Sequence, residues 1–454
     1  MKAGAAFSAA LLLAGCSPVQ IAAQPETATV KPAAQPAISG RDHQSPLDRI
    51  AIDYILLTLA MGEKEAGYVD AYYGPEIWQE QAKQDGRSLA ELGQDITRLI
   101  ARTKALSGDR NRARQRFLLA QLEAARTRHA MLSGKTLPFV EEAKGLFGVS
   151  PAIRPLTEFD PVLAKIDRLV PGEGDLAARV EAFEDQYIIP KERLKTVFDT
   201  AIAECKRRTE KYFDLPSDEN FRMEFVTGKS WSGYNYYQGK YQSLIQINTD
   251  LPIRISRAVD LGCHEGYPGH HVYNMLLEEN LANQLGWKEF SVYPLYSPQS
   301  LIAEGSANYG IRLAFPGHER LQYERDVLYP LAGLNPEGAQ DYWALQNAKD
   351  ALSGARITIA QQYLDGEISR EQAAQLIRKY QLVSADRARQ LLDFNDQYRS
   401  YVINYGLGQD MVREWIEAQG DAPVWRWKAM ERLLSEPMLP QDLQNGLDEV
   451  TSGY

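Results

Sequence analysis

A mainly α-helical protein with one small β element is what this sequence predicts, and three observations predict it. Several stretches carry apolar residues at helical spacing, some behind serine-led capping boxes. A single segment, about 221–252, switches to short aromatic and glycine-rich runs of strand type. Helical patterning then resumes and continues towards the C-terminus.

The first 15 residues read as a lysine-led apolar leader, too short to span a bilayer, so a cleaved export signal is expected there. Its end, Leu13-Ala14-Gly15-Cys16, resembles a bacterial lipobox, which implies cleavage before Cys16 and lipidation of its thiol. Ser17 next to that cysteine implies export to the periplasmic face of the outer membrane, with acyl chains as the sole membrane contact. Residues 16–44 are rich in Ala, Pro, Gln and Thr without apolar periodicity and read as a flexible tether.

A helical body is expected over 45–454. Ser45-Pro46-Leu47-Asp48 supplies a cap, a proline suited to the first helical position and a first-turn acid, opening a helix through Leu59. Ser88 and Glu91 form a capping box ahead of a stripe of Leu89, Leu92, Ile96, Leu99 and Ile100. Long helices are expected over 109–132, 173–212 and 384–416, with others from Ser300 and from the Ser369–Gln372 box. Leu244, Ile245 and Ile247 mark a strand within the β element, and metal-site helices are expected over about 258–315.

The net charge of −10 argues against nucleic acid as a partner, because phosphate binding needs a basic surface. Of three cysteines, Cys205 and Cys263 remain after the leader, and both are expected as free thiols, although a bridge would tether the site that Cys263 precedes.

That site is His264-Glu265-Gly266-Tyr267-Pro268-Gly269-His270-His271. Two histidines on one helix share a metal when they stand at i and i+4, but position i+4 here is Pro268. On an unbroken helix His270 would point about 120° away from His264, and His271 would sit about 10 Å further along the axis. Neither reaches a zinc with bonds of about 2.0–2.1 Å. The residues that spoil the spacing also spoil the helix: Pro268 cannot donate a hydrogen bond and Gly269 tolerates unusual backbone, so a widened turn at Pro268 would bring a later histidine back.

These residues resemble the H-E-x-x-P-G-H-H signature of the domain-of-unknown-function 885 family, bacterial proteins often found as lipoproteins. That family is similar to zincins of helical build such as carboxypeptidase Taq and thimet oligopeptidase. The resemblance implies a zincin-like helical metallopeptidase fold with a small sheet beside the active-site helix. Matching Gly269-His270 to the Gly-His of their H-E-F-G-H motif makes His270 the second ligand beside His264, with His271 as the alternative. Ile302-Ala303-Glu304-Gly305-Ser306-Ala307-Asn308-Tyr309 resembles an E-G-W-A-L-Y stretch and implies Glu304 as third ligand; Ser306 and Asn308 depart from it. Glu278 and Glu279 are nearer in sequence but continue the motif helix and read as its solvated face. Residues 237–252 and Gly67-Tyr68-Val69-Asp70-Ala71-Tyr72-Tyr73-Gly74-Pro75 also resemble family segments.

The chemistry implied is hydrolysis of peptide bonds in short peptides by a water activated on one Zn²⁺ ion, with Glu265 as general base. Tyr405, then Tyr401, are the expected oxyanion donors, and Arg399 is available for a substrate carboxylate. The strand holding Ile245 and Ile247 is a candidate for binding an extended peptide by strand addition. Two alternatives stay open: a zinc hydrolase acting on a non-peptide amide or ester of the envelope, and a non-catalytic lipoprotein that keeps the fold.

Overall fold

Ser45 caps the first helix, Pro46–Gly62, by accepting from the Asp48 N–H, while the Asp48 carboxylate accepts from the Ser45 N–H. The computed structural model describes residues 45–107 and 111–444. The leader, Cys16 and the tether lie outside the described residues. Among the described residues the chain is mainly helical with two small sheets, and no helix is long and apolar enough to cross a membrane.

The other capping boxes also open helices. Ser88 with Glu91 starts Leu89–Lys104, whose Leu92, Ile96, Leu99 and Ile100 are buried, and Ser369 with Gln372 starts Arg370–Gln381. Arg112–Leu132 occupies the expected 109–132 stretch.

Two long helices expected from the sequence are each divided. The stretch 173–212 splits into Leu176–Glu184 and Leu194–Thr209, because Pro190 lacks an N–H and bars helical backbone at the residue before it. The stretch 384–416 splits into Ala385–Tyr398 and Ile403–Glu417 at Arg399, whose φ of 52° lies in the left-handed region.

The first strand, β1 (Val69–Tyr72), precedes the expected β element, which consists of β2 (Asn220–Val226), β3 (Gly233–Gly239) and β4 (Gln242–Asn248). These last three form one sheet in the order β2, β4, β3, with β2 parallel and β3 antiparallel to β4. A final strand, β5 (Val292–Pro294), pairs antiparallel with β1 in the second sheet. β4 is therefore a central strand with both edges occupied, and Ile245 and Ile247 are each 1% exposed in the core. This corrects the expectation that they bind substrate: no backbone edge of β4 is free for strand addition.

A main hydrophobic core joins the first helices, the sheets and the motif region, and a smaller cluster gathers residues between Phe159 and Leu392. A cavity of about 810 Å³ lies between them, lined by Leu261 and Tyr293 of the first and Leu352 and Leu391 of the second. Cys205 and Cys263 are joined by a disulfide, Cα to Cα 5.5 Å, which corrects the free-thiol expectation.

Candidate metal centre

The motif first widens its helix, as expected, and then breaks it. Ser256–Leu261 is α-helical, Gly262–Gly266 is a π-helical turn, and Tyr267 is extended at φ −124° and ψ 120°. A new helix, His270–Leu277, begins after Gly269. Gly269 makes this return possible: its N–H donates to the Cys263 carbonyl, and a Cβ there would lie 1.7 Å from the His264 carbonyl oxygen. Only glycine permits that approach.

The break brings His270, not His271, to His264. Their Nε2 atoms are 3.1 Å apart, and Glu304 Oε2 lies 3.3 Å from the first and 3.7 Å from the second. Ligand atoms around a tetrahedral ion with bonds of about 2.0–2.1 Å stand about 3.4 Å from one another. Glu304 Oε2 is also a buried atom that finds no hydrogen-bond partner, as expected of an oxygen meant for an ion. Glu265 adjoins this triangle, with a carboxylate oxygen within 4.8 Å of a ring nitrogen of each histidine. The donor set, two imidazoles and a carboxylate, fits a divalent ion.

Neighbours fix each donor. His264 Nδ1 lies 3.1 Å from Asn308 Oδ1, while the Asn308 amide donates to the Tyr405 carbonyl, so the amide is oriented with its oxygen towards the ring. That places the proton of His264 on Nδ1 and leaves Nε2 free to bind. Tyr401 donates to Glu304 Oε1 at 2.8 Å. The Glu304 helix, Pro298–Ala314, crosses Ile403–Glu417 where Gly305 meets Gly408: a Cβ on Gly305 would lie 2.4 Å from the Gly408 carbonyl oxygen. Asn235 of β3 donates to the Glu265 carbonyl at 2.8 Å, and a Cβ on Gly233 would lie 2.7 Å from Glu265 Oε1.

The electrostatics favour a cation. Burial pushes the Glu265 carboxyl above its ordinary range, with Glu304 adding to the rise against His264 and His270. Burial would also raise Glu304, but the two imidazoles outweigh it and hold that carboxyl well below the usual range. His270 would be lowered by burial, yet Glu304, Glu265 and Asp70 bring it up to about 9. A field that favours a proton on an imidazole also favours a metal ion in its place.

Of the expected oxyanion donors, Tyr405 lines the cavity, with burial first and Glu304 next raising its phenol, so it stays a neutral donor. Tyr401 is occupied by Glu304, so its hydroxyl orients a candidate ligand and does not face the cavity as a free donor. Arg399 is not available for a substrate carboxylate as expected: its Nε donates to the buried Glu142 at 2.7 Å. His271 is fully buried with its Nδ1 2.8 Å from Ser243 Oγ and its Nε2 2.8 Å from Glu219 Oε2. Glu278, expected on a solvated face, is buried and accepts from the Tyr237 hydroxyl and the Lys240 N–H.

Sequence reasoning missed Asn308 and Asp70. Asp70 lies on β1, lines the cavity and accepts from the Tyr234 hydroxyl; burial pushes its carboxyl up to about 6. An acid between Val69 and Ala71 in a strand was the available signal.

The sequence matches no protein-family model and no curated protein. Among solved structures, it is similar to a candidate lipoprotein from Colwellia psychrerythraea, with 13% identity, a TM-score of 0.49 and coverage of 90% of this chain and 76% of that one. A candidate lipoprotein of unknown function from Shewanella oneidensis gives 14%, 0.44, 85% and 73%. An M32 carboxypeptidase from Deinococcus radiodurans R1 gives 12%, 0.29, 90% and 98%. At these scores none of the three assigns an activity to this chain.

Proposed function

We propose that this chain is an exported zinc-dependent metallopeptidase that hydrolyses peptide bonds in short peptides. The observation that carries the reading is the triangle of His264 Nε2, His270 Nε2 and Glu304 Oε2 beside the buried Glu265. These three side chains would hold the ion. When bound, zinc supplies Lewis acidity, which lowers the pKa of water and polarises an amide carbonyl.

The chain's own residues do the rest. Glu265 takes a proton from water and returns it to the leaving amine, a role suited to a carboxylate whose proton affinity burial has raised. Tyr405 donates towards the developing oxyanion from the cavity wall. Asn308 and Tyr401 keep His264 and Glu304 in place. A cavity of about 810 Å³ is within the range of small-ligand sites, about 300–1,000 Å³, and supports short peptides over folded chains. Lipidation at Cys16 would hold the enzyme at the envelope.

The test is Glu265→Gln assayed against a library of short peptides, with metal content measured by mass spectrometry. Turnover should fall at least about 1,000-fold while near-stoichiometric zinc stays bound. Unchanged turnover in that variant would overturn the mechanism.

A further inference from the structure

Among the described residues, seven arginine and lysine side chains line the cavity, and their partners divide them. Arg257, Arg312, Arg320, Lys349 and Arg413 each pair with a carboxylate. Arg356 and Arg387 form no ion pair among the described residues. Arg356 lies over the rings of Phe394 and Tyr405, 5.4 and 5.2 Å from their centroids, and its buried Nε has no hydrogen-bond partner. Arg387 donates to neutral oxygens, those of Gln390 and Ser232. Burial, followed by the nearby Arg257, Arg356 and Arg254, pushes Arg387 down to about 9, which shows how poorly its charge is compensated.

Two guanidinium groups that form no ion pair in a cavity are costly to the free protein. The cost is recovered when an anion arrives, because a planar guanidinium binds a carboxylate through paired, charge-assisted hydrogen bonds. The position is informative as well. Arg356 stacks on Tyr405, the Tyr405 ring lies 6.0 Å from that of Tyr401, and Tyr401 holds Glu304, so the unpaired charge is reached from the metal triangle through two side chains.

We propose that Arg356 and Arg387 form an anion subsite that binds a carboxylate of the substrate close to the bond that is cut. The proposal deepens the peptidase reading and rests on it for the identity of the substrate. The carboxylate has two sources in a peptide, the C-terminus and an Asp or Glu side chain, and the experiment separates them.

Turnover is measured for peptides paired as C-terminal acid against C-terminal amide, and as Glu against Gln at each position. Wild-type protein should prefer the acid member of at least one pair by about 10- to 100-fold, the usual worth of a charge-assisted bond. Arg387→Gln should reduce that preference to within about threefold, and Arg356→Lys, which keeps the charge and spares the fold, should retain part of it. Binding gives a second readout that does not depend on catalysis. Chelator-treated protein is titrated with N-acetyl-glutamate and with its diamide, and the acid should bind about tenfold more weakly to Arg387→Gln than to wild type.

Cleavage without acid preference, joined to acid binding that Arg387→Gln leaves unchanged, would overturn the subsite while the peptidase reading stands. Arginine-dependent binding of the acid in a protein that cleaves no peptide would support the subsite and defeat the peptidase reading.

Discussion

Tyr401 illustrates how much one hydroxyl carries at this site. It donates to Glu304 Oε1, leaving Oε2 directed at the two imidazoles. Tyr401→Phe should therefore weaken metal binding by about 10- to 100-fold, read by competition with a chelator, with little change in helix content. Wild-type affinity in that variant would remove Tyr401 from the support of the site. A second residue-scale prediction concerns Glu219. Burial would raise its carboxyl, but bonds from His271, Lys206 and Tyr267 outweigh burial and lower it to about 2. A carboxyl depressed in the folded state stabilises the fold above its unfolded value and loses that contribution as pH falls through its folded value. The stability difference between wild type and Glu219→Gln should accordingly shrink as pH falls from about 4.5 to about 2, measured by urea unfolding. A difference that does not change with pH would refute it.

At the scale of elements, two glycines set the site. Gly269 lets the chain fold back on the His264 carbonyl, and Gly305 lets the ligand helix approach Ile403–Glu417. Gly269→Ala should abolish metal binding, because the added Cβ, 1.7 Å from that carbonyl oxygen, forces His270 away from His264. Stoichiometric zinc in that variant, measured by mass spectrometry, would show that the two histidines meet without the fold-back. The capping boxes at Ser88 and Ser369 were legible because their partners are three residues apart. The division of 173–212 was signalled by Pro190 but hidden by the apolar pattern on both sides. The division at Arg399 had no local signal, since no glycine marks its positive φ.

For the whole molecule, the Cys205–Cys263 bridge ties Leu194–Thr209 to the turn that carries His264. It closes a loop with a sequence separation of 58, for which the chain-entropy model gives about 4 kcal/mol. Reduction, or the paired change to serine, should lower the thermal midpoint and weaken metal binding together; an unchanged midpoint would count against the bridge. By itself the sequence determined the helical class, the motif, and His264 and Glu265 as candidates for the site, because each is a matter of residue type and near spacing, whereas Glu304 was implied only by the family resemblance of its stretch. Only the tertiary structure decided which of His270 and His271 stands beside His264, turned Tyr401 from an expected oxyanion donor into a support for Glu304, removed Arg399 to Glu142 and left Arg356 and Arg387 without carboxylate partners among the described residues. Those outcomes depend on which distant side chain reaches a given atom first, and that is fixed by packing between elements far apart in the chain.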